Sequence, residues 1–201
     1  MSLQHSTTSP SLIDRVKAND ADAWRRFVDL YGPLVFHWAK RLGLDDHASS
    51  DVLQEVFAAV AKAVGGFSQG GNGSSFRGWL WTITRNKVRD HHRAGANREL
   101  ATGGTDAQRR LASLPDGLSD DADTNTAPGQ LSGLYHRALE LVRSEFEERT
   151  WNAFWRAAVE NERTAEIARD LGITANGVRQ AKSRVLRRLR DELGELPSRD
   201  C

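Results

Sequence analysis

Asn176, Arg179, Gln180, Ser183, Arg184 and Arg187 recur at helical spacing along one face of the stretch Thr164 to Arg190, TAEIARDLGITANGVRQAKSRVLRRLR. Guanidinium, amide and hydroxyl groups of this kind donate to phosphate oxygens and to purine edges in the major groove of DNA. The rest of the stretch explains how they are held. Ile167, Ala168 and Leu171 form the inner face of one short helix, Gly172 permits a left-handed turn, and Ile173 plugs the corner. Thr174 caps a second helix, in which Val178, Ala181, Val185 and Leu189 bury the stripe opposite the donors. The small Ala168 lets the two helices cross closely. An amphipathic hairpin with solvated arginines would share the stripe, but not the combination of glycine turn, small residue, cap and basic face. The pattern predicts a helix-turn-helix that reads duplex DNA, with Thr174 and the six donors as its contacts.

A second group of candidates lies in the helix expected from Phe76 to Arg93, FRGWLWTITRNKVRDHHR. Phe76, Trp79, Leu80 and Ile83 project as its core stripe, which leaves Trp81 outside, beside Arg77, Arg85 and Arg89. An exposed indole among arginines suits stacking on an unpaired base while the cations hold the backbone. The competing expectation is an indole that covers a neighbouring helix. Just before this helix runs the glycine-rich GGFSQGGNGSS, Gly65 to Ser75. Its Phe67, Ser68, Gln69 and Asn72 could line a small pocket around an extruded base.

A third group is acidic. In DVLQEVFAAVAKAV, Asp51 to Val64, the valines 52, 56, 60 and 64 recur every fourth residue, with Leu53 and Phe57 widening the stripe. Asp51, Gln54, Glu55 and Lys62 are left outside. That face is either a solvated surface or a dock for a basic partner helix.

Composition removes several other chemistries. The chain has 201 residues and a formal net charge of +1, so affinity for nucleic acid has to come from how charge is distributed. Basic residues crowd Arg77 to Arg98 and Arg179 to Arg190, with an acidic patch of Asp116, Asp120, Asp121 and Asp123 between them. The lone cysteine, Cys201, allows neither an internal disulfide nor a thiolate cluster, and the scattered histidines suggest no metal site. No cofactor is expected. The glycine-rich loop lacks the lysine and hydroxyl of a P-loop and follows no strand, which argues against a nucleotide triphosphatase. A nuclease would need carboxylates converging on a metal, and Asp51, Glu55 and Asp90 make a poor set. No apolar run reaches transmembrane length and the N-terminus lacks a signal-peptide pattern, so a soluble, cytoplasmic protein that is not an enzyme is expected.

The elements that would position these groups are all helical. Periodicity runs from about Ser11 to Arg93, with breaks expected at Gly32-Pro33, at Gly43 to Asp46 and at the glycine-rich loop. Between Ala94 and Gln130 the chain turns rich in Gly, Asp, Ser, Thr and Pro, and periodicity returns from Leu131 nearly to Leu196. The expected architecture is all-α, with two small helical domains, residues 11–96 and 131–196, joined by a flexible acidic linker, 97–130.

DVLQEVF, a loop, FRGWLWTITRN, a low-complexity gap and a terminal AEIARDLGIT helix-turn-helix, in that order, resemble the bacterial RNA polymerase sigma factors of the extracytoplasmic-function (ECF) group of the sigma-70 family. The resemblance spans roughly Ser11 to Arg93 and Leu131 to Leu196. It implies a first domain that binds the polymerase clamp and melts the −10 promoter element, and a terminal domain that reads the −35 element. Carried over by position, it implies that Asp51, Gln54, Glu55 and Phe57 contact the polymerase, and that Arg77, Trp81, Arg85 and Asn86 capture the melted strand. The recognition helix departs from the group's commonest form, in which G-T-V-K-S-R follows the cap; here Gly177 is followed by VRQAKSR. The implied partners are core RNA polymerase and promoter DNA, as duplex and as melted non-template strand, with room for an anti-sigma factor and no membrane insertion. The implied function is transcription initiation at such promoters. A stand-alone helix-turn-helix regulator is the alternative, and it calls for a dimer seam that the sequence does not show.

Overall fold

The computed structural model describes residues 11–68, 75–101 and 126–194, the side chains of 96–101 excepted. Among them all regular structure is helical: α1 (Leu12–Lys17), α2 (Ala21–Arg41), α3 (Asp46–Ala63) with a 3-10 turn after it (Val64–Gly66), α4 (Phe76–Ala101), α5 (Pro128–Arg143), α6 (Glu148–Ala158), α7 (Thr164–Leu171) and α8 (Ala175–Leu193). By their internal contacts, residues from Val16 to Leu134 form one compact unit. Residues from Tyr135 onward form another, which also takes those up to Arg15.

In the first unit α2, α3 and α4 pack pairwise. The Asp20 carboxylate starts α2 by accepting from the Asp22 and Ala23 N–H groups, and Asp45 starts α3 by accepting from Ala48 at 2.8 Å. The break expected at Gly32-Pro33 does not occur, since α2 runs through both residues. A proline inside a helix costs about 3 kcal/mol. Against that, Phe27, Leu30 and Tyr31 before it and Leu34, Val35 and Trp38 after it are all buried in one helical register. Each such burial contributes about 1.5–3 kcal/mol, so tertiary packing outweighs the local penalty. Pro33 itself is exposed. From α3 come the buried Val52, Val56 and Val60 of the expected stripe, and the Phe27 ring meets Phe57 and Phe76 edge-on at 5.5 and 5.7 Å. The helix expected to end at Arg93 continues to Ala101.

In the second unit α6, α7 and α8 pack on one another. Ala153, Ile167, Ala168, Val178 and Ala181 form the core, with Ala157, Leu171 and Ile173 against it. Gly172 takes a left-handed conformation, φ 63°, which reverses the chain after α7. The Ile173 N–H closes that turn on the Ala168 carbonyl at 2.9 Å. Thr174 caps α8, its hydroxyl accepting from the Gly177 N–H at 3.0 Å. Gly194, again left-handed, ends the helix.

Candidate nucleic-acid interface

The α8 face has the expected geometry. Asn176, Arg179, Gln180, Ser183, Arg184 and Arg187 are all exposed, while Val178, Ala181, Val185 and Leu189 are buried behind them. Thr174, also exposed, spends its hydroxyl oxygen on the cap. Arg179 leans along its own helix, its Nε donating to the Ala175 carbonyl at 3.3 Å. Arg188 turns inward. It forks onto Glu145 at 2.6 and 2.8 Å and reaches the buried Glu192 at 2.6 Å, so it belongs to the scaffold.

A second arginine fixes the angle of the reading unit. Arg156 on α6 makes a bidentate contact with Glu162, at 3.0 and 2.6 Å, and reaches Asp170 on α7 at 2.8 Å. Hydrogen bonds from Glu162 and then Asp170 raise the affinity of Arg156 for its proton. The bond from Arg156 in turn holds both carboxyls below their ordinary range.

On α4 the structure corrects the sequence reading. The buried stripe is Phe76, Arg77, Leu80, Trp81, Thr84 and Val88. Trp81, expected outside the core, is 1% exposed and packs edge-on against Trp38 of α2 at 5.3 Å. Its Nε1 is buried without a hydrogen-bond partner. Arg77 is 6% exposed and offers no open cation to a phosphate. Trp79, expected in the core with Ile83, is half-buried, as is Ile83. The reason lies in Thr84. Its hydroxyl donates to the Leu80 carbonyl at 2.9 Å, which lets a polar residue occupy the inner face and rotates the whole stripe.

Asn86 and Arg89 are exposed on the outer side of α4 and Arg85 is half-buried. Burial, and then the charge of Arg89, lower the affinity of Arg85 for its proton. Phe67 is 8% exposed, stacked against Phe76 and Trp79, and Ser68 is exposed beside it. Gln69 and Asn72 lie outside the described residues, as does the acidic patch Asp116 to Asp123.

On α3, Asp51, Gln54 and Glu55 face outward as expected. Asp51 lies 3.2 Å from His47 Nδ1, and Glu55 pairs with Lys87 of α4 at 3.5 Å. Phe57 is half-buried against Phe27.

Residues 27–98, which include this α3–α4 surface, match the Sigma-70 region 2 family. Over 188 residues the chain is 27% identical to the ECF RNA polymerase sigma factor SigD of Mycobacterium tuberculosis, covering 91% of this chain and 82% of that one. Over 184 residues it is 28% identical to SigL of the same organism, covering 89% and 93%. It is 32% identical over 93 residues to BldN of Streptomyces coelicolor, 46% of this chain, and the match spans about a third of BldN, 34%. The chain belongs to the ECF sigma factors of the sigma-70 family. A sigma factor directs RNA polymerase to promoters and is an initiation factor rather than an enzyme.

Two features of this sigma factor escaped the sequence reading. Lys17, at the end of α1, sits over the Phe67 ring at 5.9 Å, a contact between residues fifty apart that no local pattern announces. Thr126 accepts a hydrogen bond from Trp38 Nε1 at 3.0 Å and is 7% exposed. Among the described residues no helix is long and apolar enough to cross a membrane, and no cluster of side chains is arranged to hold a metal ion.

Proposed function

We propose that this sigma factor binds core RNA polymerase through the α3 face of Asp51, Gln54 and Glu55, reads a −35 element with α8, and holds the melted −10 strand on the outer side of α4. In this reading residues 11–96 serve the polymerase and the −10 element, 131–196 serve the −35 element, and 97–130 tether them. One observation carries it: α8 presents six exposed donors on a face whose opposite side is wholly buried. Such a face positions a protein on duplex DNA through phosphates and specifies sequence through base edges. Strand capture then supplies stacking free energy that offsets unpairing, which costs a few kcal/mol. Within it, Asn86, Arg85 and Arg89 face the strand, Phe67 and Ser68 open the loop pocket, and Arg77 and Trp81 support the helix from behind.

The test is transcription from a fragment library of host DNA by core polymerase with and without the chain. Start sites that require the chain should share two short upstream elements at fixed spacing. Duplex binding without any chain-dependent start would favour a stand-alone regulator.

A further inference from the structure

With Trp81 enclosed, the half-buried aromatic on α4 is Trp79, and its surroundings are arranged for a ligand with a flat face and a negative charge. Its ring tilts by 41° on Phe67 at 5.1 Å and by 46° on Phe76 at 5.4 Å, so two rings fix the indole from one side. Lys17 lies over the same Phe67 ring, 5.9 Å from its centroid, within cation–π range. A side chain otherwise free to wander is thereby held one ring away from Trp79. Along α4, Thr82, Asn86, Arg89 and Arg93 are exposed and follow Trp79 at spacings of three, seven, ten and fourteen, which is one face of a helix. Phe67 is the last apolar residue before the glycine-rich loop.

We propose that Trp79 and Lys17 form a contact for single-stranded DNA, the indole stacking on an unpaired base and the ammonium holding an adjoining phosphate, at the head of the track that runs along Asn86 and Arg89. This rests on the strand-capture reading above. Fixed rings and a tethered cation give up little conformational freedom on binding. Stacking supplies affinity that tolerates any base, and the cation adds a dependence on salt.

The two roles leave different signatures. Binding of fluorescein-labelled dT15 to the full chain, followed by anisotropy at several salt concentrations, separates them. Trp79→Leu should weaken binding by about 5- to 150-fold and leave the salt slope unchanged. Lys17→Met should lower the slope of log K against log salt by about 0.7. Trp79→Phe, which keeps an aromatic face in the same ring cluster, should retain most of the affinity and serves if the leucine variant does not fold. Duplex binding through α8 should stay the same in all three. Wild-type affinity and slope in folded Trp79 and Lys17 variants would overturn this site while leaving strand capture standing. A wild-type chain with no affinity for dT15 would overturn both.

Discussion

Arg156 of α6 holds Asp170 of α7 across 2.8 Å, and the same guanidinium grips Glu162 in the turn between the two helices. The first helix of the reading unit is thus braced by a charged tripod as well as by the small core of Ala153, Ile167 and Val178. Both carboxyls are depressed by their bonds to Arg156. A carboxyl whose pKa is lower folded than unfolded stabilises the fold above its unfolded value and loses that contribution as pH falls through the folded one. Stability from the tripod should therefore be complete above about pH 5 and shrink below about pH 4. Arg156→Met should flatten this acid limb in denaturant midpoints of the full chain measured across the same range, and parallel acid limbs in variant and wild type would contradict the account.

Trp81→Ala should cost about 3–5 kcal/mol, because a buried indole leaves a cavity against Trp38. Trp81→Phe should cost much less, since it keeps a ring and removes a buried N–H that has no partner. Thermal unfolding measures both. A Trp81→Ala protein of wild-type stability that regains activity on pre-melted promoter DNA would return Trp81 to the strand-facing side.

Thr126→Val removes the acceptor for Trp38 Nε1 and strands a buried donor. The expected cost is about 1–3 kcal/mol. Hydrogen exchange of the Trp38 indole proton offers a local reading of the same change and should accelerate in the variant.

Charge reversal on α3 is cleaner at Asp51 than at Glu55. Glu55 faces Lys87 at 3.5 Å, so Glu55→Lys would set two ammonium groups against each other and loosen α3 from α4. Asp51→Lys touches only the flexible His47 on its own helix. It should reduce co-purification with core polymerase while leaving the melting temperature within a few degrees of wild type, and undiminished retention would remove α3 from the docking surface.

On α8, Gln180→Ala and Arg184→Ala should separate reading from holding. A residue that bonds a base edge shifts preference among sequences by about 1–3 kcal/mol. One that holds a phosphate weakens all sequences alike and lowers the salt slope by about 0.9 for duplex DNA. Competition among randomised duplexes at two salt concentrations assigns each residue to one class.

The helix-turn-helix was legible because its determinants are local. Gly172 at positive φ, Thr174 at the cap and the Val178 to Leu189 stripe lie within eighteen residues, and each constrains its neighbours through backbone chemistry alone. The α3 stripe was legible for the same reason. The inner face of α4 was not. Trp79, Trp81 and Ile83 are comparably apolar, and only contacts with α2 decide which of them goes inside. The decisive residue was polar: Thr84 hides its hydroxyl on the Leu80 carbonyl and so passes for an apolar position. Gly32-Pro33 misled in the opposite sense, because propensity counts one lost hydrogen bond and is blind to six buried side chains in register around it.

The edge-on meeting of Trp38 and Trp81, 5.3 Å apart at 70°, joins two strongly absorbing chromophores in a fixed chiral arrangement. The second unit has its own pair, Trp151 and Trp155, nearly parallel at 6.1 Å. Parallel and inclined transition dipoles couple differently, so the two units should contribute distinguishable bands to the near-ultraviolet circular dichroism. The chain thereby holds a native optical label for each half, and partial unfolding of either one can be followed without attaching a dye.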